Sequence, residues 1–358
     1  MDKYLITLDK CVKIGPITFK KLFSYFKSAE DIWYARPSDL LKAGIDQKLV
    51  YAITEHIEKT DCDKEEELLE KQGIKYVSFF DKDYPEKLKE IFSPPFVLYY
   101  KGELKKEEEC IAIVGTRKPT DYGIQATKDI AAGLAQAGVT VVSGMALGID
   151  TFAHESTLKS HGRTIAILGC GLEKPYPTSN SNLANQIVEN GGALVSEYSI
   201  GTAPLKQNFP ARNRIIAGFS LGVLVVEAGE KSGALITAKD ALEQNRDVFA
   251  LQGNIYNKNS FGPNNLIKMG AKPVANALDI LEELNLKNLP QKKEARKVYP
   301  KSEEERKIIE FLESEPKHID DIIKTTGIES QAVSSALTMM EIKGYVKNLG
   351  GMVYTVNR

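Results

Sequence analysis

The feature that most constrains the fold is a regular alternation of short apolar runs and helical patterns between residues 107 and 283. The apolar runs are near-continuous, which is typical of parallel strands covered on both faces. Strands interleaved with helices predict a doubly wound α/β domain. The predicted strands are 110–114, 139–142, 164–168, 193–196, 223–226 and 248–251. The predicted helices are 124–137, 149–160, 181–190, 213–217, 235–245 and 264–269.

Four polar turns marked by glycine or proline either follow these strands or open the helices. They lie at 114–117, 143–150, 209–214 and 232–238. In an open parallel sheet the carboxyl ends of the strands gather such turns along one crevice, where backbone N–H groups and helix N-termini favour anions. Three arginines lie in these turns without a catalytic metal or nucleophile set. The pattern favours a phosphate-backbone binder over an enzyme.

Individual side chains in the turns support the same interpretation. Arg117 can hold a phosphate bidentately, or it can form a structural ion pair with a carboxylate such as Asp150. Ser143 offers a hydroxyl donor and Gly144 allows close backbone approach. Asp150 itself is predicted to cap or orient the turn, because a carboxylate repels phosphate.

Two further turns carry candidate anion-binding groups. Arg212 and Arg214 are one residue apart, so they cannot both point inward from a helix that begins near Asn213. One is expected to face the crevice and the other to tie down the loop, while Lys206 adds mobile charge. Ser232 and Gly233 precede a helix whose first turn offers Thr237 and free N–H groups.

Composition limits the class of protein. The chain has 358 residues, which predicts two or three domains. The formal net charge is −1, so a nucleic-acid binder of this composition must concentrate positive charge locally. Four cysteines form no C-x-x-C pair and are interpreted as reduced thiols. With no signal peptide and no membrane-length apolar run, we expect a cytoplasmic protein.

The rest of the chain divides into smaller modules. Residues 1–60 read as short helices with glycine hairpins, resembling a helix-hairpin-helix or SAM-like domain, and 61–284 contain a lead-in segment and the α/β domain. The first hairpin has Pro16 after Gly15, which removes an N–H and favours a structural or protein-contact role. Residues 285–301 are interpreted as a linker.

Residues 302–358 have a winged-helix pattern. Three helices precede two strands, 345–349 and 352–356, that flank Gly350-Gly351. The third helix offers Gln331, Ser334, Ser335 and Thr338, but Lys343 is its only cation. A duplex reader normally carries more arginine and lysine. The pattern therefore favours a protein-interaction or autoregulatory role.

The sequence predicts no cofactor and no metal. Gly169-Cys170-Gly171 begins like a dinucleotide fingerprint, but Lys174 stands in place of the third glycine, and no G-K-[ST] occurs. No G-x-S-x-G nucleophile elbow is present. His154 follows Asp150 by four residues on a helical pattern and is interpreted as a packing or hydrogen-bonding residue.

Taken together, the motifs resemble the DNA-processing protein A (DprA, also called Smf) family, over nearly the whole chain. The residues that carry the resemblance are Gly115-Thr116-Arg117, Ser143-Gly144, Gly148-Ile149-Asp150, Ala153-His154, Gly169 with Gly171, Tyr176-Pro177, Ser196-Glu197-Tyr198, Phe209 through Arg214, Glu227-Ala228, Ser232-Gly233, Leu235-Ile236-Thr237, and Gly262 through Ala271.

The resemblance implies an extended Rossmann-like domain that binds single-stranded DNA in a basic pocket at the strand ends. It further implies loading of the recombinase RecA during natural transformation or recombination, without catalytic turnover. By position, the pocket residues are Arg117, Ser143, Gly144, Lys206, Arg212 and Asn213, and the turn geometry adds Arg214, Ser232, Gly233 and Thr237. Thr178 departs from the family, since many relatives have lysine there.

The resemblance also implies a homodimer that packs through the end of this domain. The candidate contact residues are Gly262, Asn264, Leu266, Ile267 and Pro273. Two other functions stay open. The fold is shared with nucleotide phosphoribohydrolases, although residues 227–240 lack the Gly-Gly-x-Gly-Thr-x-x-Glu loop of those enzymes. A winged-helix transcription regulator is the weaker alternative.

Overall fold

The structure, a computed structural model, describes residues 2–11, 14–286, 303–312, 316–342, 346–348 and 350–356. Two compact units are present, Met1–Gln291 and Lys292–Arg358. From residue 287 onward the predicted linker lies outside the described residues, as do Lys343, Tyr345 and Leu349 of the predicted winged helix. The predicted limits of the four segments stay predictions. No helix in the described ranges has the length and apolar character needed to cross a membrane.

A nine-stranded sheet organises the first unit. Its order is β1-β2-β6-β5-β4-β3-β7-β8-β9; the β1–β2 and β2–β6 pairings are antiparallel, and all other pairings are parallel. The strands are β1 Lys75–Ser78, β2 Val97–Gly102, β3 Cys110–Val114, β4 Thr140–Ser143, β5 Thr164–Leu168, β6 Ala193–Ser196, β7 Gly222–Val225, β8 Asp247–Leu251 and β9 Lys272–Val274. The doubly wound parallel sheet is confirmed, and the six predicted strands each agree within one residue.

Helices cover both faces of this sheet. In chain order the helices of the first unit are α1 Lys3–Asp9, α2 Pro16–Tyr25, α3 Ala29–Trp33, α4 Pro37–Lys42, α5 Gln47–Lys59, α6 Cys62–Lys71, α7 Glu86–Lys89, α8 Asp121–Gln136, α9 Ile149–Lys159, α10 Ser181–Glu189, α11 Asn208–Phe219, α12 Gly233–Glu243, α13 Phe261–Lys268 and α14 Ala277–Glu283. Helices α8, α9 and α14 share one apolar core with the sheet, and α11 and α12 share another.

The N-terminal helices pack on the sheet unit through a continuous apolar core. Leu8 and Leu22 join β-sheet residues such as Leu194 in one buried cluster. Phe19 and Phe96 stack with ring centroids 4.3 Å apart. Pro16 begins α2, where its missing N–H costs nothing, and the structural or protein-contact role of the first hairpin stays a prediction.

Two elements differ from the sequence prediction. Helix α11 begins at Asn208 rather than near Asn213, because Pro210 sits in the first helical turn, where no backbone acceptor is available for its nitrogen. Strand β9, Lys272–Val274, was not predicted, since only Val274 of its three residues is buried. It is an edge strand, the position in a sheet that tolerates Pro273.

The second unit has the predicted winged-helix arrangement. Helices α15 Glu303–Leu312, α16 Ile319–Thr326 and α17 Ser330–Ile342 pack around Ile308, Ile322 and Leu337. A three-stranded sheet has the order β10-β12-β11, with β10 Lys317–His318, β11 Val346–Asn348 and β12 Val353–Val356. Gly327 ends α16 in the left-handed conformation, with φ +69°.

Candidate functional site

The site lies at the carboxyl ends of the parallel strands. Strand β3 pairs with β4 on one side and with β7 on the other. Strands β4, β5 and β6 therefore lie to one side of β3, and strands β7, β8 and β9 lie to the other side. In open α/β sheets ligands bind at such a switch point. We call the surface formed by the segments that follow β3 to β8 the carboxyl-edge surface; these segments are 115–120, 144–148, 169–180, 197–207, 226–232 and 252–260.

The turn that carries Arg117 is held on both sides. The Thr116 N–H donates to the Glu227 carbonyl at 2.7 Å, and the Thr116 carbonyl accepts from Ile149 N at 3.2 Å. Gly148, with φ +82°, approaches so closely that a Cβ there would lie 2.8 Å from the Arg117 Cα. The Arg117 side chain is exposed, and no described carboxylate pairs with it. The turn is thus rigid while its guanidinium stays available.

Glu227 is a site residue whose role the sequence reasoning did not identify. Its side chain is 1% exposed, and its carboxylate accepts from the Thr120 hydroxyl at 2.6 Å and from Thr120 N at 2.9 Å. The Thr120 hydroxyl in turn accepts from Gly123 N at 3.2 Å. A carboxylate of the protein itself therefore occupies the start of α8, the place where a Rossmann-type nucleotide fold holds phosphate.

Arg212 lies beneath the carboxyl-edge surface rather than on it. It is 4% exposed, and Nη1 donates to the Gly144 carbonyl at 2.9 Å and to the Ile167 carbonyl. Ser143 is likewise buried, and its hydroxyl donates to the Ile113 carbonyl at 2.6 Å. Both side chains connect neighbouring strands, and their contact with DNA stays untested.

Asp150 orients the same turn, as the sequence analysis expected. Its Oδ2 accepts from Gly144 N at 3.1 Å and from Ala146 N at 3.3 Å. A Cβ on Gly144 would lie 2.8 Å from both Asp150 Oδ2 and Arg212 Nη2, so only glycine fits between the two charges. The ion pair with Asp150 considered for Arg117 is therefore not formed, because Asp150 serves the turn after β4.

Burial sets the charge states under this surface. It raises the pKa of Asp150 to about 6, although Arg212 and the two N–H donors oppose the shift. It lowers the pKa of Arg212 to about 10. His154 is fully buried with Nδ1 2.7 Å from the Thr164 hydroxyl, and burial lowers its pKa to about 3. His154 is thus the hydrogen-bonding residue that was predicted.

The raised pKa of Asp150 predicts a stability change with pH. Because the folded state holds this proton more tightly than the unfolded state, the contribution of Asp150 to stability is fully present below about pH 4 and is lost as the pH rises towards 6. The shift from 3.8 to about 6 corresponds to about 3 kcal/mol. Asp150→Asn keeps the acceptor oxygen but has no proton to lose, so the stability difference between the wild type and the variant changes by this amount between pH 4 and pH 6. Urea unfolding of both proteins from pH 4 to 7 measures the difference, and parallel curves would refute it.

The other candidate residues hold α11 and α12 in place. Arg214 donates to Glu197 and thereby ties α11 to the segment after β6. Asn213 Nδ2 donates to the Gly233 carbonyl at 3.2 Å. Ser232 caps α12 by accepting from Ala234 N at 3.3 Å, and Thr237 is buried. The expectation that one arginine ties down a loop is confirmed for Arg214, whereas Arg212 points into the protein.

The exposed charge of the carboxyl-edge surface is mostly positive. Its exposed carboxylate is Glu230, because Glu227 is buried, Glu197 is paired with Arg214 and Glu173 is partly buried. The exposed cations on its segments are Arg117, Lys118, Lys174, Lys206, Lys231 and Lys258. A chain of net charge −1 has therefore concentrated positive charge at one edge of the sheet. Among the described residues no group of three or more His, Cys, Asp or Glu could hold a metal ion.

The candidate dimer residues lie beyond β8. Gly262 and Leu266 are buried inside the protomer, and Asn264 exchanges hydrogen bonds with the Gly253 backbone at 3.2 and 3.0 Å. Ile267 is half-buried and Pro273 is exposed on β9.

Comparison with known proteins gives the family. The family model for DNA recombination-mediator protein A matches residues 75–285, and that for the DprA winged helix domain matches 292–352. Protein Smf of Synechocystis sp. is 36% identical, with 98% of each chain covered. The X-ray structure of DNA processing protein A from Streptococcus pneumoniae has a TM-score of 0.68 at 35% identity, covering 79% of this chain and 98% of its own.

A second solved structure bears on the ligand. DNA processing protein A from Helicobacter pylori, whose single-stranded DNA binding mode has been described, has a TM-score of 0.54 at 32% identity. It covers 60% of this chain and 97% of its own. The first family model spans the segments at the strand ends, and the second spans most of the C-terminal unit. The chain belongs to the DNA recombination-mediator protein A (DprA/Smf) family.

Proposed function

We propose that the protein binds the backbone of single-stranded DNA along the carboxyl-edge surface. The observation that carries this proposal is the set of exposed cations on the carboxyl-edge surface, with Arg117 at the switch point on a turn that hydrogen bonds hold on both sides. Phosphate contacts from Lys and Arg supply the affinity of sequence-independent nucleic-acid binding. The single-stranded DNA binding of the Helicobacter pylori relative supports the choice of ligand.

Backbone binding accounts for the site better than nucleotide hydrolysis. The Glu227 carboxylate at the start of α8 accepts hydrogen bonds from Thr120, so it competes with a nucleotide phosphate for that position. His154 is buried with one nitrogen bound to Thr164, which leaves it without access to a substrate. We therefore assign Ser143, Arg212 and Asp150 to support of the turns, and Arg117 and Lys206 to phosphate contact.

The bound strand is proposed to serve as the substrate for RecA loading during recombination or natural transformation. The membership of a recombination-mediator family supports this step. It is tested by the lag in single-strand-dependent ATP hydrolysis by RecA on DNA covered with single-strand-binding protein. Shortening of the lag by the wild-type chain, but not by a variant that has lost strand binding, is the expected result.

Homodimer formation is the second part of the proposal. Several large apolar side chains are exposed at the corner formed by the segment after β8 and α13, close to the candidate contact residues. They are Ile255, Tyr256, Phe261 and Met269, which are 49 to 89% exposed. An exposed apolar patch of this kind is typical of an interface. Sedimentation equilibrium of the full chain tests it, and a monomer at micromolar concentration would argue against it.

Substitution of the two exposed cations tests the binding surface. Arg117→Ala and Lys206→Ala are each expected to lower the magnitude of the salt slope for oligo-dT binding by ~0.7, since each removes about one released counterion. Stability is expected to stay within about 0.5 kcal/mol, because both side chains are exposed. Fluorescence anisotropy at several salt concentrations measures the slope.

Matched controls come from exposed cations of the N-terminal helices. Arg36→Ala and Lys48→Ala remove the same charges away from the carboxyl-edge surface, and they are expected to leave the slope unchanged. Equal effects in all four variants would mean that net charge, rather than this surface, governs binding. Binding of duplex as tightly as single strand would shift the interface to the winged helix. No binding to either would direct attention to base release from nucleoside monophosphates.

A further inference from the structure

An exposed aromatic ring stands at the carboxyl-edge surface beside the proposed phosphate contacts. Tyr176, in the segment after β5, is 46% exposed. Its ring packs against Phe209 with centroids 5.7 Å apart and an angle of 48° between the planes. Phe209 in turn covers Gly169, where a Cβ would lie 3.1 Å from the Phe209 ring. One ring is therefore backed by another that is fixed against the end of β5.

The segment that carries Tyr176 is anchored on both sides. Asn180 Nδ2 donates to the Met145 carbonyl at 3.0 Å and to the Thr151 hydroxyl at 2.9 Å. On the other side, Asn208 Nδ2 donates to the Gly169 carbonyl at 3.2 Å. These bonds connect the segment to the turn after β4 and to α11. An exposed ring on an anchored segment loses little conformational entropy when a ligand packs on it.

Other exposed tyrosines lack this combination of features. Tyr122 is 53% exposed, but its hydroxyl donates to the Gln252 carbonyl at 2.7 Å. Tyr256, 89% exposed, belongs to the corner assigned to the dimer contact. A cation is also near in sequence to the partner ring of Tyr176, since the exposed Lys206 lies three residues before Phe209, in the segment that leads into α11. A base and its neighbouring phosphate could therefore be held together.

We propose that Tyr176 is a base-stacking residue, on whose outer face one nucleobase of the strand packs while Lys206 neutralises a neighbouring phosphate. The proposal rests on the proposed function and adds a contact to the bases. Stacking on an aromatic ring tolerates every base, because each base has a π-face. The expected result is that affinity does not depend on the base sequence of the strand, and that a strand with bases binds more tightly than a strand without them.

Two ligands separate base contact from backbone contact. Oligo-dT carries bases, and an abasic oligonucleotide of the same length carries the phosphodiester backbone alone. For Tyr176→Ala we expect roughly tenfold weaker binding of oligo-dT, which is the order of one lost base–aromatic contact. Binding of the abasic strand and the salt slope for oligo-dT should not change, since no phosphate contact is lost. Tyr176→Phe, which retains the ring, should bind as the wild type does.

Tyr51→Ala is the matched control, since Tyr51 is 71% exposed on α5 in the N-terminal helices. A second readout needs no substitution: 2-aminopurine placed in oligo-dT should be quenched on binding to the wild-type chain, and less so on Tyr176→Ala. Equal losses for both ligands, or no loss for either, would overturn the stacking role while leaving strand binding intact. Failure of the wild-type chain to bind either ligand would overturn the proposed function as well.

Discussion

Gly148→Ala is expected to lower the free energy of unfolding by about 4 kcal/mol. Gly148 has φ +82° and ψ −127°, a conformation that costs a residue with a Cβ about 1–3 kcal/mol. The added Cβ would lie 2.8 Å from both the Cα and the carbonyl carbon of Arg117, and closer still to the Thr116 oxygen. These are backbone atoms that cannot rotate away, so overpacking adds about 1–3 kcal/mol.

The effect of Gly148→Ala should extend to DNA binding. The turn after β3 must move to relieve the contact, and Arg117 moves with it. Urea unfolding followed by the fluorescence of Trp33, the single tryptophan of the chain and part of the same compact unit, measures the stability. Anisotropy with oligo-dT, at a temperature where the variant is folded, measures the binding.

Gly44→Ala separates backbone strain from the clash. Gly44 has φ +80°, but nothing lies within 4 Å of its Cβ position. It should therefore show only the cost of the positive φ, about 1 kcal/mol, with unchanged DNA binding. If Gly148→Ala and Gly44→Ala lowered the free energy of unfolding equally, the close contact between the turns after β3 and β4 would not be what requires glycine at position 148.

Much of the sheet could be predicted from the sequence because its strands are buried on both faces. A run such as 110–114 is apolar throughout, so it is identified as a strand without knowledge of its neighbours. Strand β9 gives no such signal, since Lys272 and Pro273 are exposed at the sheet edge. The pairing of β2 with β6 was also beyond prediction, because the residues brought together are about 90 positions apart.

The sequence predicts which turns form the site, but it does not predict which of their side chains are exposed and which are buried. Arg117 and Arg212 both lie in polar turns near strand ends, and local sequence gives no reason to separate them. The structure exposes one and buries the other because the turn after β4 and the end of β5 converge on Arg212. Glu227 was recognised only as part of a motif, because its hydrogen bonds reach across 107 residues of sequence to Thr120.

Arg212→Met is expected to lower the free energy of unfolding by about 3–5 kcal/mol, the usual cost of removing one member of a buried charge pair. The substitution leaves the Gly144 and Ile167 carbonyls without their donor and leaves Asp150 without its compensating charge. Arg117→Met is the matched control, because that side chain is exposed and its loss should change stability by less than about 0.5 kcal/mol.

The pH dependence of the Arg212→Met defect identifies its cause. Arg212 holds the pKa of Asp150 down against burial, so its loss raises that pKa above the wild-type value of about 6. The folded variant then binds more protons than the folded wild type around neutral pH, and the deficit in stability grows as the pH rises from 5 to 8. Arg212→Met with Asp150→Asn should recover part of the loss, and a deficit independent of pH and of Asp150 would contradict the coupling.

Arg212→Met and its control Arg117→Met also decide between two roles for Arg212 in strand binding. If Arg212 supports the turns from beneath, the folded Arg212→Met protein binds oligo-dT with an unchanged salt slope, because no phosphate contact has been removed. Arg117→Met should lower the magnitude of the slope by ~0.7 while leaving the protein stable. A reduced slope for Arg212→Met would instead place its guanidinium on the DNA, and would require the turn after β4 to open when the strand binds.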